Sequence, residues 1–227
     1  MTRTVLVTGA TRGIGRELVK QLCAQDFTVF ATGRDQQLLD QLKAITGCIG
    51  EICDLSDPEA TVALYAEASR ALGQVDVLIN NAGLNPGKTP VADVPVEDLD
   101  LSYAVNLRAP FLLCRAALKG MGDRQCGHIL NVVSTIARTS APNYSTYCSL
   151  KYALHGFTLC LIKEAQPVNV KVTGVYPGGT DTDFRPEERP DYLKPESVAQ
   201  LIVQCINAPD DAVVHELVFR PRVETNF

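Results

Sequence analysis

Short hydrophobic runs alternate along the chain with longer stretches in which hydrophobic residues recur with a helical period. Most of the short runs are near-continuous in Val, Ile, Leu and Phe, which is typical of parallel strands covered on both faces. The pattern predicts strands over residues 4–8, 28–32, 48–53, 75–80, 128–133, 170–176 and 213–219. It predicts helices over residues 15–25, 36–44, 58–72, 106–121, 144–165 and 194–207.

The alternation of strands and helices predicts an α/β fold, with about seven parallel strands in one doubly wound sheet and helices on both faces. No linker-like stretch, low-complexity segment or internal repeat interrupts the pattern, so residues 1–227 are expected to form a single domain. In such a sheet, ligands bind beyond the carboxyl ends of the strands. The residues that directly follow the predicted strands are therefore the candidates for a functional site.

A glycine-rich segment follows the first predicted strand and leads directly into a helix. Gly9, Gly13 and Gly15 have the spacing Gly-x-x-x-Gly-x-Gly, with Thr8 in front of them. Glycines let the backbone approach a pyrophosphate closely, and a helix N-terminus supplies N–H groups and a positive dipole end. The segment favours dinucleotide binding, although three glycines can also form a plain strand-to-helix turn.

Tyr147 and Lys151 lie four residues apart in a predicted helix, and so on one of its faces. A cation beside a phenol favours the phenolate, which suits the phenol to exchange a proton with a carbonyl or alcohol oxygen. On its own the pair is also compatible with a solvated helix face. Its interpretation depends on the motifs that surround it in the sequence.

Together, the glycine segment and the Tyr-x-x-x-Lys pair resemble the short-chain dehydrogenase/reductase family, and the resemblance runs from residue 4 to about residue 182. Further motifs stand in the family's order at Asp54, Asn80-Asn81-Ala82-Gly83, Asn106, Ser134 and Pro177-Gly178. By this resemblance Asp54 would hold the adenine ring, and Pro177-Gly178 would form the turn at the nicotinamide. The resemblance implies one NAD(P)-binding domain of the Rossmann type that also contains the active site. The expected cofactor-binding residues are Gly9, Thr11, Arg12, Gly13, Ile14, Gly15, Arg34, Asp54, Leu55, Asn81, Ala82, Gly83, Tyr147, Lys151, Pro177, Gly178, Thr180 and Thr182.

The resemblance also implies catalytic roles for four residues. Tyr147 would be the general acid in reduction and the base in oxidation, while Lys151 would favour its phenolate and bind the nicotinamide ribose. Ser134 would hold the substrate oxygen beside Tyr147. Asn106 would anchor a water that leads from Lys151 to solvent.

The end of the second predicted strand bears on the choice between NADP(H) and NAD(H). Enzymes for NAD usually place a carboxylate there, whereas enzymes for NADP supply arginine for the added phosphate. Gly33 stands where the acid would be expected, Arg34 follows it, and Arg12 in the glycine segment could reach the same phosphate. NADP(H) is therefore favoured over NAD(H), although a shifted loop would present Asp35 to a ribose.

The predicted activity is NADPH-dependent reduction of a ketone, aldehyde or 3-oxoacyl thioester to an alcohol. An NAD-linked alcohol dehydrogenase working in the oxidative direction is the alternative. A redox sensor that binds the dinucleotide without turnover is disfavoured, because all four catalytic positions are present. The candidate segments for the choice of substrate are residues 84–90, 135–143 and 180–193. In the last of these segments, Phe184 and Tyr192 either cap the substrate or attach the segment to the core.

Composition indicates which classes of binding partner and which cellular compartment are expected for the protein. The net charge is −5 without a cluster of basic residues, which argues against nucleic-acid binding. No apolar stretch approaches the roughly 20 residues of a membrane helix. The eight cysteines contain no Cys-x-x-Cys pair, which favours free thiols in the cytoplasm, and no metal site is predicted.

The apolar faces of helices 106–121 and 144–165 resemble those with which relatives form dimers and tetramers, so a homodimer or homotetramer is expected.

Overall fold

A seven-stranded parallel sheet forms the centre of the molecule. The computed structural model describes residues 3–182, 184 and 189–225. The strands are β1 (Thr4–Val7), β2 (Thr28–Gly33), β3 (Ile49–Ile52), β4 (Val77–Asn80), β5 (His128–Val132), β6 (Lys171–Pro177) and β7 (Glu216–Phe219). They lie in the order β3-β2-β1-β4-β5-β6-β7, and every neighbouring pair is parallel. The predicted doubly wound α/β fold is confirmed.

Helices cover both faces of this sheet. They are α1 (Gly13–Cys23), α2 (Gln36–Thr46), α3 (Pro58–Leu72), α4 (Val96–Tyr103), α5 (Ala109–Asp123), α6 (Ser145–Ala165) and α7 (Pro195–Ile206). One core joins the sheet to α1, α2 and α7, and a second joins it to α3, α5 and α6. Because side chains alternate along a strand, Val5 and Val7 belong to the first core and Leu6 to the second. None of the helices in the described part of the chain has the length and hydrophobicity to cross a membrane.

The helix predicted from residue 106 differs from the structure at its start. The helical path begins earlier, with α4, and passes through a π-helical turn at Ala104–Arg108 before α5. In α4 only Ser102 is buried, while Val96 and Leu99 are exposed. A helix that turns hydrophobic residues to solvent has no inward apolar stripe, and its sequence therefore lacks the periodicity that predicted the other helices.

The last strand is shorter than predicted, because residues 213–215 precede its pairing with β6. Val213 is exposed and precedes β7, and the carbonyl of Val214 accepts a hydrogen bond from the Thr173 hydroxyl at 2.6 Å. Pairing with β6 starts only at Glu216, opposite Gly174. The hydrophobic run is thus longer than the strand that it contains.

The strand order reverses direction between β1 and β4, at the centre of the sheet. At such a switch point the loops that follow the two strands diverge and leave a crevice at their carboxyl ends. The glycine segment follows β1, and the Asn81 turn follows β4. The glycine segment and the Asn81 turn therefore meet at this crevice.

Candidate active site

A cavity of about 790 Å³ opens at the carboxyl ends of the strands. Its volume lies within the range of roughly 300–1,000 Å³ that is usual for small-molecule sites. The predicted residues that line it are Gly9, Thr11, Arg12, Gly13, Ile14, Arg34, Asp54, Leu55, Asn81, Ala82, Gly83, Ser134, Tyr147, Lys151, Pro177, Gly178, Thr180 and Thr182. Gly15 and Asn106 do not line it, although both are buried beside residues that do.

The glycine segment is held against the turn that follows β4. The Asn81 side-chain amide donates to the carbonyl oxygens of Thr8 and Gly9, at 3.0 and 3.1 Å. Gly9 has a φ of +62°, and a Cβ on it would lie 2.8 Å from the Ala82 Cα. A Cβ on Gly15 would lie 2.0 Å from the Gly9 carbonyl oxygen, so Gly15 packs directly on the backbone of the loop, and it does not line the cavity.

The N-terminus of α1 lines the cavity. Arg12 is the N-cap residue and its side chain makes no capping hydrogen bond, while Gly13 and Ile14 line the cavity. The first N–H groups of a helix lack intrahelical partners, so they can bind an anionic group there. A Cβ on Gly13 would lie 3.2 Å from the Thr182 side chain, so the loop after β6 lies close to the glycine segment.

Arg12 forms an ion pair with Asp35 at one end of the cavity. The guanidinium lies 3.0 Å from one carboxylate oxygen, and the other oxygen accepts from the Leu38 backbone N–H at 3.1 Å. These hydrogen bonds, the one from Leu38 first, lower the pKa of Asp35. Asp35 is thus the N-cap of α2 and is already engaged by two groups.

Asp54 lies at the same end and forms a local turn. Its carboxylate accepts from the Ser56 backbone N–H at 2.9 Å and from the Ser56 hydroxyl at 2.8 Å. These bonds lower the pKa of Asp54, with a smaller contribution from the positive charge of Arg34. Arg34 is exposed and lines the cavity, so a positive charge is present where the second strand ends. Contact of Asp54 with an adenine ring stays a prediction.

Lys151 is buried at the other end of the cavity, beside Tyr147. Its ammonium donates to the Val132 carbonyl at 3.0 Å and lies 5.7 Å from the centre of the Tyr147 ring. Only 3% of Lys151 is exposed, and this burial lowers its pKa from 10.5 to about 8. The two side chains share a face of α6, as their spacing predicts.

Ser134 follows β5 and faces the same part of the cavity. Its Oγ accepts from the Ile136 backbone N–H at 3.2 Å, which caps a short 3-10 helix over Thr135–Arg138. Phe184 packs obliquely on Tyr147, with ring centres 5.9 Å apart. Ser134, Tyr147 and Phe184 all line the cavity.

Tyr192 has a different place from Phe184, although both were candidates to cap a substrate. A Cβ on Gly179 would lie 2.2 Å from the Tyr192 ring, and the Tyr192 hydroxyl accepts from Arg189 at 2.8 Å. Tyr192 thus attaches its segment to the turn after β6 and does not line the cavity. Residues 183 and 185–188 of the same predicted substrate segment lie outside the described residues.

Asn106 lies in the π-helical turn and is fully buried. Its side-chain amide donates to the carbonyls of Leu84 and Ser102, at 2.8 and 3.0 Å, and its Oδ1 accepts from the Leu84 N–H at 3.1 Å. Both Oδ1 and the Lys151 ammonium lie within 4 Å of the position that a Cβ on Gly83 would take, at 3.3 and 3.7 Å. Asn106 therefore attaches the loop after β4 close to Lys151, and its role in a water relay stays a prediction.

Several lining residues were not predicted. Thr32, Cys53 and Val132 line the cavity, and each stands at the carboxyl end of a strand. The rule that ligands bind at these ends could have identified them. Val105 also lines the cavity but lies in the π-helical turn, for which the sequence carries no signal. Among the described residues, no group of three or more His, Cys, Asp or Glu side chains could hold a metal ion.

Comparisons with known proteins agree with this geometry. The family model described as short chain dehydrogenase matches residues 3–193. The chain is 30% identical to an uncharacterized short-chain type dehydrogenase/reductase of Sinorhizobium fredii, covering 95% of this chain and 90% of that protein. It is 38% identical to L-xylulose reductase of Bos taurus, covering 77% and 70%. Serine dehydrogenase complexed with NADP+ has a TM-score of 0.91 at 28% identity, covering 98% of this chain and 96% of that one. The chain therefore belongs to the short-chain dehydrogenase/reductase family, whose members are NAD(P)-dependent oxidoreductases.

Proposed function

We propose that the protein uses NADPH to reduce a carbonyl compound to an alcohol, with Tyr147 as the general acid. The observation that carries this proposal is the buried ammonium of Lys151, 5.7 Å from the Tyr147 ring in a cavity of cofactor size. The substrate would be a ketone, an aldehyde or a 3-oxoacyl thioester. The relative from Bos taurus that is named a reductase supports reduction as the direction.

The cavity fits a nicotinamide dinucleotide. Gly9 and Gly13 have positive φ values of +62° and +50°, a conformation that favours glycine, so neither residue places a side chain in the phosphate region. The uncapped N-terminus of α1 would bind the pyrophosphate, and Lys151 would bind the nicotinamide ribose. When bound, NADPH would supply the hydride that reduces the carbonyl carbon.

The protein's own groups would supply the proton and hold the substrate. The Ser134 Oγ already accepts a hydrogen bond from the Ile136 N–H, so its hydroxyl proton can be donated to the substrate oxygen. The Tyr147 hydroxyl would protonate that oxygen as the carbon accepts hydride, and the Lys151 ammonium would stabilise the phenolate that remains. A water chain beside Asn106 would then return a proton to Tyr147.

A panel assay tests this function. Purified protein would be mixed with NADPH and ketones, aldehydes, quinones or oxoacyl thioesters, and NADPH consumption would be followed by its absorbance. At least one class should be reduced to the alcohol, identified by chromatography. Binding of NADPH without turnover of any class would contradict the proposed function and favour a sensor.

We further propose that NADP(H) is preferred to NAD(H). Gly33 ends β2 without a carboxylate, and Arg34 brings an exposed positive charge to the cavity directly after it. Asp35 is engaged by Leu38 and Arg12, which makes it a poor partner for ribose hydroxyls. The related serine dehydrogenase complexed with NADP+ supports the same preference.

Arg34→Glu should weaken NADPH binding by about 10–100-fold and NADH binding by much less, because a carboxylate would repel the 2′-phosphate. Dissociation constants can be measured from the fluorescence of the reduced cofactors. Arg16→Glu is the matched control, because Arg16 is exposed on α1 but does not line the cavity. Equal losses for NADPH and NADH in Arg34→Glu would contradict the phosphate role.

We also propose that α5 and α6 form an interface between two copies of the chain. Phe111 on α5 is 47% exposed and packs on Phe157 of α6, with ring centres 5.3 Å apart. A groove of about 500 Å³ beside them combines apolar residues with Arg115 and Lys119 from α5 and Glu164 from α6. A second copy related by a two-fold axis would bring these opposite charges together over the apolar surface.

Phe111→Asp should convert a dimer or tetramer to smaller species, because it would bury an unpaired charge in the interface. Light scattering coupled to size-exclusion chromatography measures the mass directly. Val62→Asp is the control, since Val62 is similarly exposed at 52% but lies on α3. The same mass for wild type and Phe111→Asp would argue against this interface.

The eight cysteines are free, and four of them are buried. We propose on this basis that the protein works in the reducing environment of the cytoplasm. Fractionation of cells that express the tagged protein would test this location.

A further inference from the structure

Glu224 lies near the end of the described chain, and its side chain reaches back to the turn that follows β6. One carboxylate oxygen accepts the backbone N–H of Gly179 at 2.8 Å, and 17% of the side chain is exposed. We propose that Glu224 is a positioning residue that holds the turn of residues 177–180 in the form that binds the nicotinamide end of the cofactor. This inference rests on the proposed function and adds to it a residue that the sequence motifs do not contain.

The turn has little freedom on the side of Glu224. The Gly178 N–H donates to the Phe219 carbonyl at 2.8 Å, which continues the pairing of β6 with β7. A Cβ on Gly178 would lie 2.6 Å from the second Glu224 oxygen and 3.0 Å from the Arg220 Cα. The segment after β7 therefore packs directly on the backbone of the turn, with no space for a side chain between them.

The other side of the turn faces the cavity. Gly178 and Thr180 line the cavity, whereas Gly179 between them does not. The N–H of Gly179 and the carbonyl of Gly178 belong to one peptide unit, and that carbonyl accepts from the Thr180 hydroxyl at 3.2 Å. Two successive glycines can rotate this peptide unit at low steric cost, so the hydrogen bonds to its N–H and its carbonyl define its orientation. The carboxylate of Glu224 holds the N–H of this peptide unit while Thr180 holds its carbonyl, and it thereby helps to set the backbone groups that face the cofactor.

The carboxylate of Glu224 is itself oriented. Its second oxygen lies 3.5 Å from the Arg220 guanidinium, and both side chains are largely buried, at 17% and 11% exposure. Hydrogen bonds that involve an ionised partner are shorter and stronger than neutral ones, and more so away from solvent. The acceptor that holds the turn is thus a carboxylate whose position is fixed by Arg220.

Glu224→Ala should raise the NADPH dissociation constant about tenfold and lower kcat by a similar factor, because the turn would adopt several orientations. Glu224→Gln should stay within about threefold of the wild type, since its amide oxygen still accepts from Gly179. Arg222→Ala is the control, because Arg222 is exposed on the same segment. Hydrogen–deuterium exchange of a peptide over residues 177–182, without cofactor, should accelerate only in Glu224→Ala.

Each outcome decides the inference. Faster exchange in Glu224→Ala, together with weaker NADPH binding, lower kcat and recovery in Glu224→Gln, supports it. Normal binding and turnover in Glu224→Ala, or a loss that only follows the folded fraction measured by thermal unfolding, overturns it while the proposed function stands. If the wild-type protein neither binds nor oxidises NADPH, the proposed function fails and the inference fails with it.

Discussion

Tyr147→Phe is expected to lower NADPH-dependent turnover by about 10²–10⁴-fold, because it removes the only proton that the proposed general acid can donate. The phenyl ring keeps the contact with Phe184, whose ring centre lies 5.9 Å from that of Tyr147. It also keeps the space beside Lys151. NADPH should therefore bind nearly as in the wild type, and the loss should appear in kcat. Steady-state kinetics and fluorescence titration of NADPH separate these two quantities.

Tyr152→Phe is the matched control for this variant. Tyr152 lies on the same helix, five residues further along, and is 44% exposed, so loss of its hydroxyl should leave turnover unchanged. Near-normal turnover in Tyr147→Phe would contradict the assignment of the general acid. A proportional loss of NADPH binding would instead indicate a structural role for the Tyr147 hydroxyl.

The fold could be predicted from the sequence because burial on both faces leaves a clear pattern. β1 is an example: Val5, Leu6 and Val7 are all fully buried, yet they pack alternately into two different cores. A near-continuous hydrophobic run is the only pattern that satisfies both cores, and it distinguishes such strands from half-exposed ones. The same argument fails for α4, which exposes Val96 and Leu99 and so has no inward stripe.

Most of the candidate site could be predicted because its residues follow strands and belong to short local motifs. Gly9 and Asn81 are far apart in sequence, but each follows a strand at the switch point, where they form a hydrogen bond of 3.1 Å. Contacts that depend on side-chain direction could not be predicted. The ion pair of Arg12 with Asp35 and the bond of Glu224 to Gly179 join loops whose relative position only the folded chain defines.

The two aromatic residues of the last substrate segment illustrate the same limit. Phe184 and Tyr192 have similar chemistry and both lie after β6, so sequence alone left both roles open for each. In the structure Phe184 faces Tyr147, whereas the Tyr192 ring lies against Gly179. The turn at Gly179 has no side chain of its own, and Tyr192 occupies that space.

Lys151→Met should abolish most of the turnover and at the same time stabilise the cofactor-free protein at pH 7. Turnover should fall by about 10²-fold or more, since the phenolate of Tyr147 would lose its neighbouring cation and the cofactor its ribose contact. The gain in stability follows from desolvation: burial lowers the pKa of Lys151 from 10.5 to about 8, so the fold opposes the charge that the proposed catalysis requires. Replacing a buried charged group by an apolar one of similar size often stabilises a protein.

The pH dependence of this gain has a definite sign. Below about pH 8 the lysine is charged in both states, and its burial costs the folded protein on the order of 1–3 kcal/mol. Between about pH 8 and 10.5 the unfolded chain binds more protons than the folded one. As the pH rises through this range, the free energy of unfolding of the wild type therefore increases relative to that of the variant. The advantage of Lys151→Met should therefore be largest at pH 7 and smaller at pH 9.5.

Urea denaturation of the cofactor-free proteins at these two pH values measures the difference. Lys163→Met is the control, because Lys163 lies on the same helix but is exposed, and it should change stability little at either pH. A variant Lys151→Met that is less stable than the wild type at pH 7, or whose advantage does not shrink with pH, would contradict the argument. The expected result would mean that the fold tolerates a destabilising charge at this position because the proton transfer by Tyr147 requires it.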